Sequence, residues 1–101
     1  MPTAYITAPP EAADDLATAL VETRLAACVN RVPCRSTYWW DGDVHDDEEE
    51  LLLAKTTDDR YPELVAFVER EHPYEVPCIE RFDEADMLAS FAAWIATETE
   101  G

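Results

Sequence analysis

Glycine is nearly absent from this sequence, which has two glycines among its 101 residues. Loops that bind phosphate groups through the backbone need several glycines, because the chain must approach the ligand closely. Gly42 and Gly101 belong to neither a G-x-x-x-x-G-K nor a G-x-G-x-x-G motif. Ser36 and Ser90, the only serines, lie outside any G-x-S-x-G motif. Nucleotide binding and serine hydrolase chemistry therefore have no support in the sequence.

Basic residues are also scarce, since 7 lysines and arginines stand against 23 acids and the formal net charge is −16. Such a surface repels nucleic acids, whose binding relies on clustered lysine and arginine, and it repels anionic membranes. We therefore expect neither as a partner. We expect a halophilic protein in a high-salt cytoplasm, where dissolved ions screen the self-repulsion. An acidic protein from an ordinary cytoplasm is the alternative.

Long apolar runs and paired cysteines are missing as well. No run of about 18 apolar residues suggests a membrane span, and no basic region followed by an apolar one suggests a secretory signal. The cysteines are Cys28, Cys34 and Cys78, an odd number without C-x-x-C spacing. A disulfide framework or a structural zinc site is therefore disfavoured. We expect reduced thiols in a cytoplasmic protein.

The apolar content, 48% of residues, is that of a folded chain despite its charge. The length predicts one domain over residues 1–101. Three segments carry apolar residues at helical spacing. Those residues are Ala13, Leu16, Ala17, Leu20 and Val21 in the first segment, Tyr61, Leu64, Val65 and Val68 in the second, and Met87, Leu88, Phe91, Trp94 and Ile95 in the last.

Strands and helices alternate in a recognisable order. We predict a strand over 3–8, a helix over 10–27, strands over 28–40 and 51–57, a helix capped by Asp58 or Asp59 and ended by Pro73, a strand over 76–82, and a helix from Asp83 or Asp86. The order β-α-β-β-α-β plus a C-terminal helix is the ferredoxin-like split βαβ arrangement. The fold class is therefore α+β, with an antiparallel sheet and helices on one face.

The hairpin between the second and third strands has its own character. Pro33 predicts a break or bulge, and Asp41-Gly42-Asp43 predicts the turn. Residues 41–50 hold seven acids, so part of the hairpin must project into solvent. Tyr38, Trp39 and Trp40 precede the turn, and a single-layer domain has no obvious way to cover these rings. Because exposed aromatic patches usually mark interfaces, we expect an oligomer.

Five segments resemble the CutA family of divalent-cation-tolerance proteins. They are Arg24-Leu25-Ala26-Ala27-Cys28-Val29-Asn30, Tyr38-Trp39-Trp40-Asp41-Gly42, Glu49 with Lys55-Thr56, His72-Pro73-Tyr74-Glu75-Val76-Pro77, and Trp94 in the last helix. The resemblance implies a ferredoxin-like fold assembled as a homotrimer. It also implies a link to divalent-cation tolerance with copper binding, and no settled catalytic activity.

Candidate site residues follow from the resemblance and from residue chemistry. Of the two histidines that precede the Pro-Tyr pair in copper-binding members, the sequence keeps His72, which is the predicted metal ligand; a histidine at a helix end is the alternative. Lys55 pairs with a carboxylate or holds an anion in an intersubunit cleft. The predicted residues of that cleft are Tyr38, Trp40, Lys55, Tyr74 and Glu75.

The sequence offers weaker support for the other residues that could bind a metal ion. His45 lies among acids but is more typical of a solvated histidine, and the acid run 46–50 lacks the alternating ligands of a calcium loop. Cys28 and Cys78 read more readily as small buried apolar residues than as thiolate ligands.

Two functions remain open. The first is a homotrimer that binds copper or another divalent cation and contributes to metal tolerance. The second is a trimeric scaffold or sensor that binds a small anion or a partner protein in intersubunit clefts. We expect neither an enzyme nor an organic cofactor.

Overall fold

A computed structural model describes residues 1–101. The elements are β1 (Pro2–Ala8), α1 (Pro10–Glu22), β2 (Cys28–Trp40), β3 (Asp43–Lys55), α2 (Tyr61–Glu71), β4 (Ile79–Asp83) and α3 (Ala89–Glu98). They form a four-stranded antiparallel sheet in the order β2-β3-β1-β4. The predicted α+β ferredoxin-like fold is confirmed. None of the helices combines the length and apolar character needed to cross a bilayer.

The hydrophobic core lies between one face of the sheet and the helices α1 and α2. Ile6 and Leu52, which pair across β1 and β3, are fully buried. Leu20 of α1 and Leu64 of α2 pack against them in the same cluster of 13 buried residues. The predicted apolar stripes of these two helices therefore face the core, as their 3.6-residue period requires, except for Val21 near the end of α1, which is 41% exposed.

Helix α1 ends at Glu22, five residues before the predicted end. Arg24 adopts a left-handed backbone with φ +64°. The N–H of Leu25 donates to the carbonyl of Leu20 at 3.0 Å, and the N–H of Arg24 donates to that of Val21 at 3.1 Å. This pair of bonds is the Schellman motif, which satisfies the last carbonyls and stops the helix. The motif usually uses glycine at the left-handed position, so the sequence pattern gave no stop signal there.

The β2–β3 hairpin runs in one register from Cys28 opposite Lys55 to Trp40 opposite Asp43. Asp41 and Gly42 have φ of 51° and 83°, as a two-residue type I′ turn requires. The predicted break at Pro33 is wrong. Because β2 is an edge strand, a proline there need not remove a hydrogen bond from the sheet.

Strand β3 begins at Asp43, eight residues before the predicted start. Its acid run has low strand propensity, but pairing with β2 holds it extended. Strand β1 pairs with β3 only from Glu50 to Lys55. Residues 34–49, which we call the arm, therefore extend beyond the rest of the sheet.

The second half of the chain also departs from prediction at the element boundaries. Helix α2 has Arg60 at its N-cap rather than an aspartate, and the N–H of Arg60 donates to Oγ1 of Thr57 at 3.3 Å. Helix α3 begins at Ala89. Of its predicted inward-facing residues, Ile95 is fully buried, whereas Trp94 is 42% exposed.

Leu88, also predicted to face inward, is 74% exposed before α3 begins. Helix α3 is the last element and is held at its end by polar contacts. Arg24 bonds the carboxylate of Glu98 at 2.9 Å, and Nε of Arg60 donates to the carbonyl of Thr99 at 2.8 Å. These contacts fix the end of α3, while Trp94 on the helix stays partly exposed to solvent.

Candidate binding cleft

A cleft of about 680 Å³ opens between the arm and the segment that leads into β4. Tyr38 and Trp40 contribute from the arm, and Tyr74 and Glu75 contribute from the segment after α2. The structure thus brings together four of the five predicted cleft residues, although they are up to 37 positions apart in the sequence (75 minus 38).

Lys55, the fifth predicted residue, does not line the cleft. It lies at the far end of β3, opposite Thr3 and Cys28. No carboxylate lies within salt-bridge distance of it in the subunit. Within one subunit, Glu49 is six residues back along an extended strand (55 minus 49) and is not its partner. The predicted pairing of Lys55 with a carboxylate in an intersubunit cleft therefore stays a prediction.

Glu49 is the buried acid of the cleft, with 6% of its surface exposed. The hydroxyl of Tyr74 donates to its Oε2 at 3.2 Å. Burial, together with the nearby charge of Glu49, raises the pKa of Tyr74 to about 12. The phenol therefore stays protonated at neutral pH and remains a donor to the carboxylate.

On the arm, Tyr38 is fixed by its neighbours on β3. Its hydroxyl donates to Oδ2 of Asp47, and this bond raises the pKa of Tyr38. Its ring stacks on His45 with centroids 5.7 Å apart. Nε2 of His45 lies 3.2 Å from the carbonyl of Trp40, to which it donates. Local contacts on the arm thus hold the ring of Tyr38 and the backbone of Trp40 in place.

His72 lies behind the cleft at the end of α2 and is 7% exposed. Its Nε2–H donates to the carbonyl of Thr7 at 2.8 Å, and its Nδ1 accepts the N–H of Tyr74 at 3.1 Å. These two bonds fix the neutral Nε2–H tautomer. They also fix the backbone from which Tyr74 reaches Glu49.

Copper coordination by His72 does not fit this geometry within one subunit, because both ring nitrogens are already hydrogen-bonded. No group of three histidine, cysteine or acidic side chains converges where it could hold a metal ion. His72 is therefore a positioning residue for Tyr74 in this structure, and its role as a metal ligand stays a prediction.

The three cysteines are free and half-buried. Burial raises the pKa of Cys28, although the charge of Lys55 opposes this, and burial also raises the pKa of Cys78. A raised pKa keeps a thiol protonated, which makes it a poor nucleophile and a poor metal ligand at neutral pH. Cys78 lines the cleft, where it presents a small, weakly polar surface.

Sequence reasoning missed several residues of the cleft wall. Tyr5 of β1 and Glu80 of β4 both line it and lie opposite each other in the sheet. Because alternate residues of a strand point to the same face of a sheet, the sequence could have placed each of them on its strand's face. The pairing of β1 with β4, which brings them to one wall, depends on the topology and has no local motif.

The comparison with protein families decides the relationship. The family model described as CutA1 divalent ion tolerance protein matches residues 3–98. The chain belongs to the CutA1 family. The divalent-cation tolerance protein CutA of Thermus thermophilus is 46% identical over 90 residues, which cover 88% of this chain and 87% of that protein. The CutA of Pyrococcus horikoshii is 36% identical over 89 residues, with 88% and 87% covered.

Solved CutA1 structures share the whole fold. The crystal structure of CutA1 from Pyrococcus horikoshii superposes with a TM-score of 0.95 at 34% identity, and each chain is covered completely. A structure described as the PII-like protein CutA from Nostoc also gives a TM-score of 0.95, at 30% identity, and covers 99% of this chain and 98% of that one. CutA1 is a divalent-cation tolerance family and not a known enzyme family.

Proposed function

We propose that this chain is a homotrimeric cytoplasmic protein that contributes to divalent-cation tolerance by binding divalent cations, copper among them. Family membership supports the link to tolerance. The observation that supports cation binding is the charge of the cleft, which Glu49, Glu75 and Glu80 line without a lysine, arginine or histidine. These carboxylates attract a divalent cation without forming a ready-made ligand group. An anion in this cleft, the alternative function, lacks a positive partner from the same subunit.

Self-assembly is supported by the apolar surface that one subunit leaves exposed. Trp39 is 74% exposed on the arm, Phe82 is 49% exposed on β4, and Trp94 is 42% exposed on α3. Exposed apolar surface on this scale is typical of an interface. Light scattering in molar KCl should give three times the 11.4 kDa mass of one chain. A single-chain mass would overturn the trimer.

Calorimetry with copper tests the cation-binding part. We expect saturable binding of Cu²⁺ in molar KCl without a thiol reductant, weakened in Glu49→Gln. Calcium in the same buffer is the control for general carboxylate attraction. A specific site would be contradicted if copper and calcium gave equal heats that did not saturate and did not change in Glu49→Gln.

The predicted role of His72 is tested with His72→Gln, whose amide can still donate to Thr7. If His72 is a ligand, this variant loses copper binding while its melting temperature stays close to that of the wild type. If copper binding survives, the metal is held by carboxylates and His72 only positions Tyr74.

A further inference from the structure

Arg24 keeps a backbone conformation that an arginine does not favour. Its φ of +64° lies in the left-handed region, where a residue with a Cβ is strained and where glycine is the usual residue of a Schellman motif. The turn alone therefore does not explain the arginine. Strained residues persist where the surrounding structure makes use of them, so the contacts of the Arg24 side chain carry the explanation.

The side chain of Arg24 reaches the last turn of α3. Its Nη1 donates to the carbonyl of Glu98 at 3.1 Å and to the carboxylate of the same residue at 2.9 Å. The carbonyls of a last turn have no partner within their own helix, and they carry the negative end of the helix dipole. A guanidinium group supplies both the missing donor and the opposite charge.

Arg60 binds the next residue at the same end of α3. Its Nε donates to the carbonyl of Thr99 at 2.8 Å, and its Nη1 donates to Glu63 of α2 at 3.3 Å. Arg24 lies two residues after the end of α1, and Arg60 is the N-cap of α2. These two residues, which we call the arginine pair, thus join the end of α3 to the two helices that cover the core.

Helix α3 has few other attachments within the subunit. Ile95 is its one buried residue, and Ile95 lies outside the cluster of 13 residues that forms the core. No side chain caps the N-terminus of the helix. The last turn, where Ile95 and the arginine pair act together, is therefore the main attachment of α3.

We infer that α3 is a separately opening element, docked through the arginine pair and Ile95, that detaches while the sheet, α1 and α2 stay folded. Regions with few buried apolar contacts open at a lower free energy than the core. The strain at Arg24 is retained because it positions the guanidinium group on α3. The inference rests on contacts within one subunit and does not depend on metal binding.

Hydrogen exchange followed by mass spectrometry tests the inference on the full chain in molar KCl. Peptides from α3 and from β1 report the opening of the helix and of the core separately. In the wild type, α3 should exchange at least about tenfold faster than β1, after correction for the intrinsic rates. Equal exchange, whether the fold opens as one unit or a neighbouring subunit holds the helix, would overturn the inference.

A mutation in the core shows whether the two openings are independent. Leu52→Val removes part of a fully buried side chain of β3, so exchange in β1 should become about fivefold faster. Exchange in α3 should stay within about twofold, because the helix detaches without opening the core. An equal acceleration of both peptides would overturn the inference.

Two arginine variants test the attachment itself. Arg60→Gln should make α3 exchange about tenfold faster, and Arg24→Gly about threefold to tenfold faster, because the side chain of Arg24 is more exposed to solvent. Arg24→Gly should accelerate β1 less than α3, since glycine relieves the strained backbone at the end of α1. The matched control Arg35→Gln, which removes an arginine of the arm, should leave α3 within about twofold. Unchanged α3 exchange in both Arg24→Gly and Arg60→Gln would overturn the inference.

Discussion

The body of the sheet and the arm share strands β2 and β3 but are stabilised differently. In the body, Leu52 and Ala54 of β3 are completely buried under helices. On the arm, Val44 of the same strand is 56% exposed and lies between Asp43 and His45 along β3. The same strand pairing is thus supported by apolar burial at one end and by hydrogen bonds and local polar contacts at the other.

The difference shows which part of the molecule carries stability and which part is free for recognition. Burial of aliphatic side chains dominates the folding free energy. A two-stranded ribbon without such burial is marginal by itself in water. The arm is therefore anchored by the body, and its exposed rings and acids are available to partners or ligands.

The largest expected change in the free energy of unfolding comes from shortening apolar side chains at the two ends of β3. Leu52→Ala in the body should lower the free energy of unfolding by about 2–5 kcal/mol, because it leaves a cavity. Val44→Ala on the arm should lower it by less than about 0.5 kcal/mol, because its methyl groups lie in water. Urea unfolding at two protein concentrations measures both. Similar losses at the two sites would mean that assembly buries the arm as fully as the body.

Salt should act more on the arm than on the body. The net charge of −16 produces self-repulsion that molar KCl screens. We expect the melting temperature to rise by about 5–10 °C between low salt and molar KCl, since about 1 kcal/mol corresponds to 4–8 °C at this size. Asp43→Asn, which removes an arm acid, should reduce the rise. A flat melting curve against salt would remove the halophile hypothesis.

Prediction from sequence succeeded where one physical effect dominated. The period of Leu16 and Leu20 fixed the inner face of α1, and Asp41-Gly42 fixed the hairpin turn, since each depends on neighbours in the sequence. It failed at Arg24, which takes a conformation usually reserved for glycine, and at the start of β3, where pairing overrides propensity.

The sequence predicted four of the residues that line the cleft but did not predict its charge. Tyr38, Trp40, Tyr74 and Glu75 were expected together, and the fold brings them together. Lys55 was expected with them because it is the only lysine and lies on an inner strand. Its distance from the cleft follows from the length of β3, which the sequence pattern underestimated. The resulting cleft is acidic, and this feature changes the class of ligand it suits.

The hydrogen bond between Tyr74 and Glu49, which joins the arm to the rest of the cleft, should contribute less to the free energy of unfolding. Tyr74→Phe removes the hydroxyl that donates to Glu49 and should cost about 1 kcal/mol, because the ring is partly exposed to solvent. The pKa of Tyr74 is raised to about 12, so the stabilisation is complete below pH 10 and is lost as the pH rises towards 12.

Ultraviolet titration of the tyrosines measures this ionisation directly. The wild type should show a late step near pH 12 that Tyr74→Phe removes. Tyr61→Phe is the control, because it keeps Tyr74 and therefore keeps the late step. If the late step persists in Tyr74→Phe, another tyrosine is the shielded one and the Tyr74–Glu49 contact does not form in solution.

The smallest expected change in stability comes from replacing either of two arginines of β2 that lie four residues apart. In the body, Arg31 bonds both oxygens of Glu50, at 2.9 and 3.2 Å, and Asp14 of α1 at 2.8 Å. On the arm, Arg35 meets Asp46 at 2.9 Å, with both side chains more than half exposed. Arg35→Gln should cost less than about 0.5 kcal/mol at low salt and nothing measurable in molar KCl, because water and ions screen the pair.

Arg31→Gln should cost more than Arg35→Gln, and part of the loss should persist in molar KCl. The guanidinium group of Arg31 links β2 to α1 and β3 through Asp14 and Glu50. Because its side chain is only 35% exposed, salt screens these ion pairs less. Chemical denaturation by urea, which adds no ions, measures both variants with and without KCl. A larger loss for Arg35→Gln would reverse the comparison, because it would mean that ion pairs on the arm, and not its attachment to the body, keep the hairpin extended.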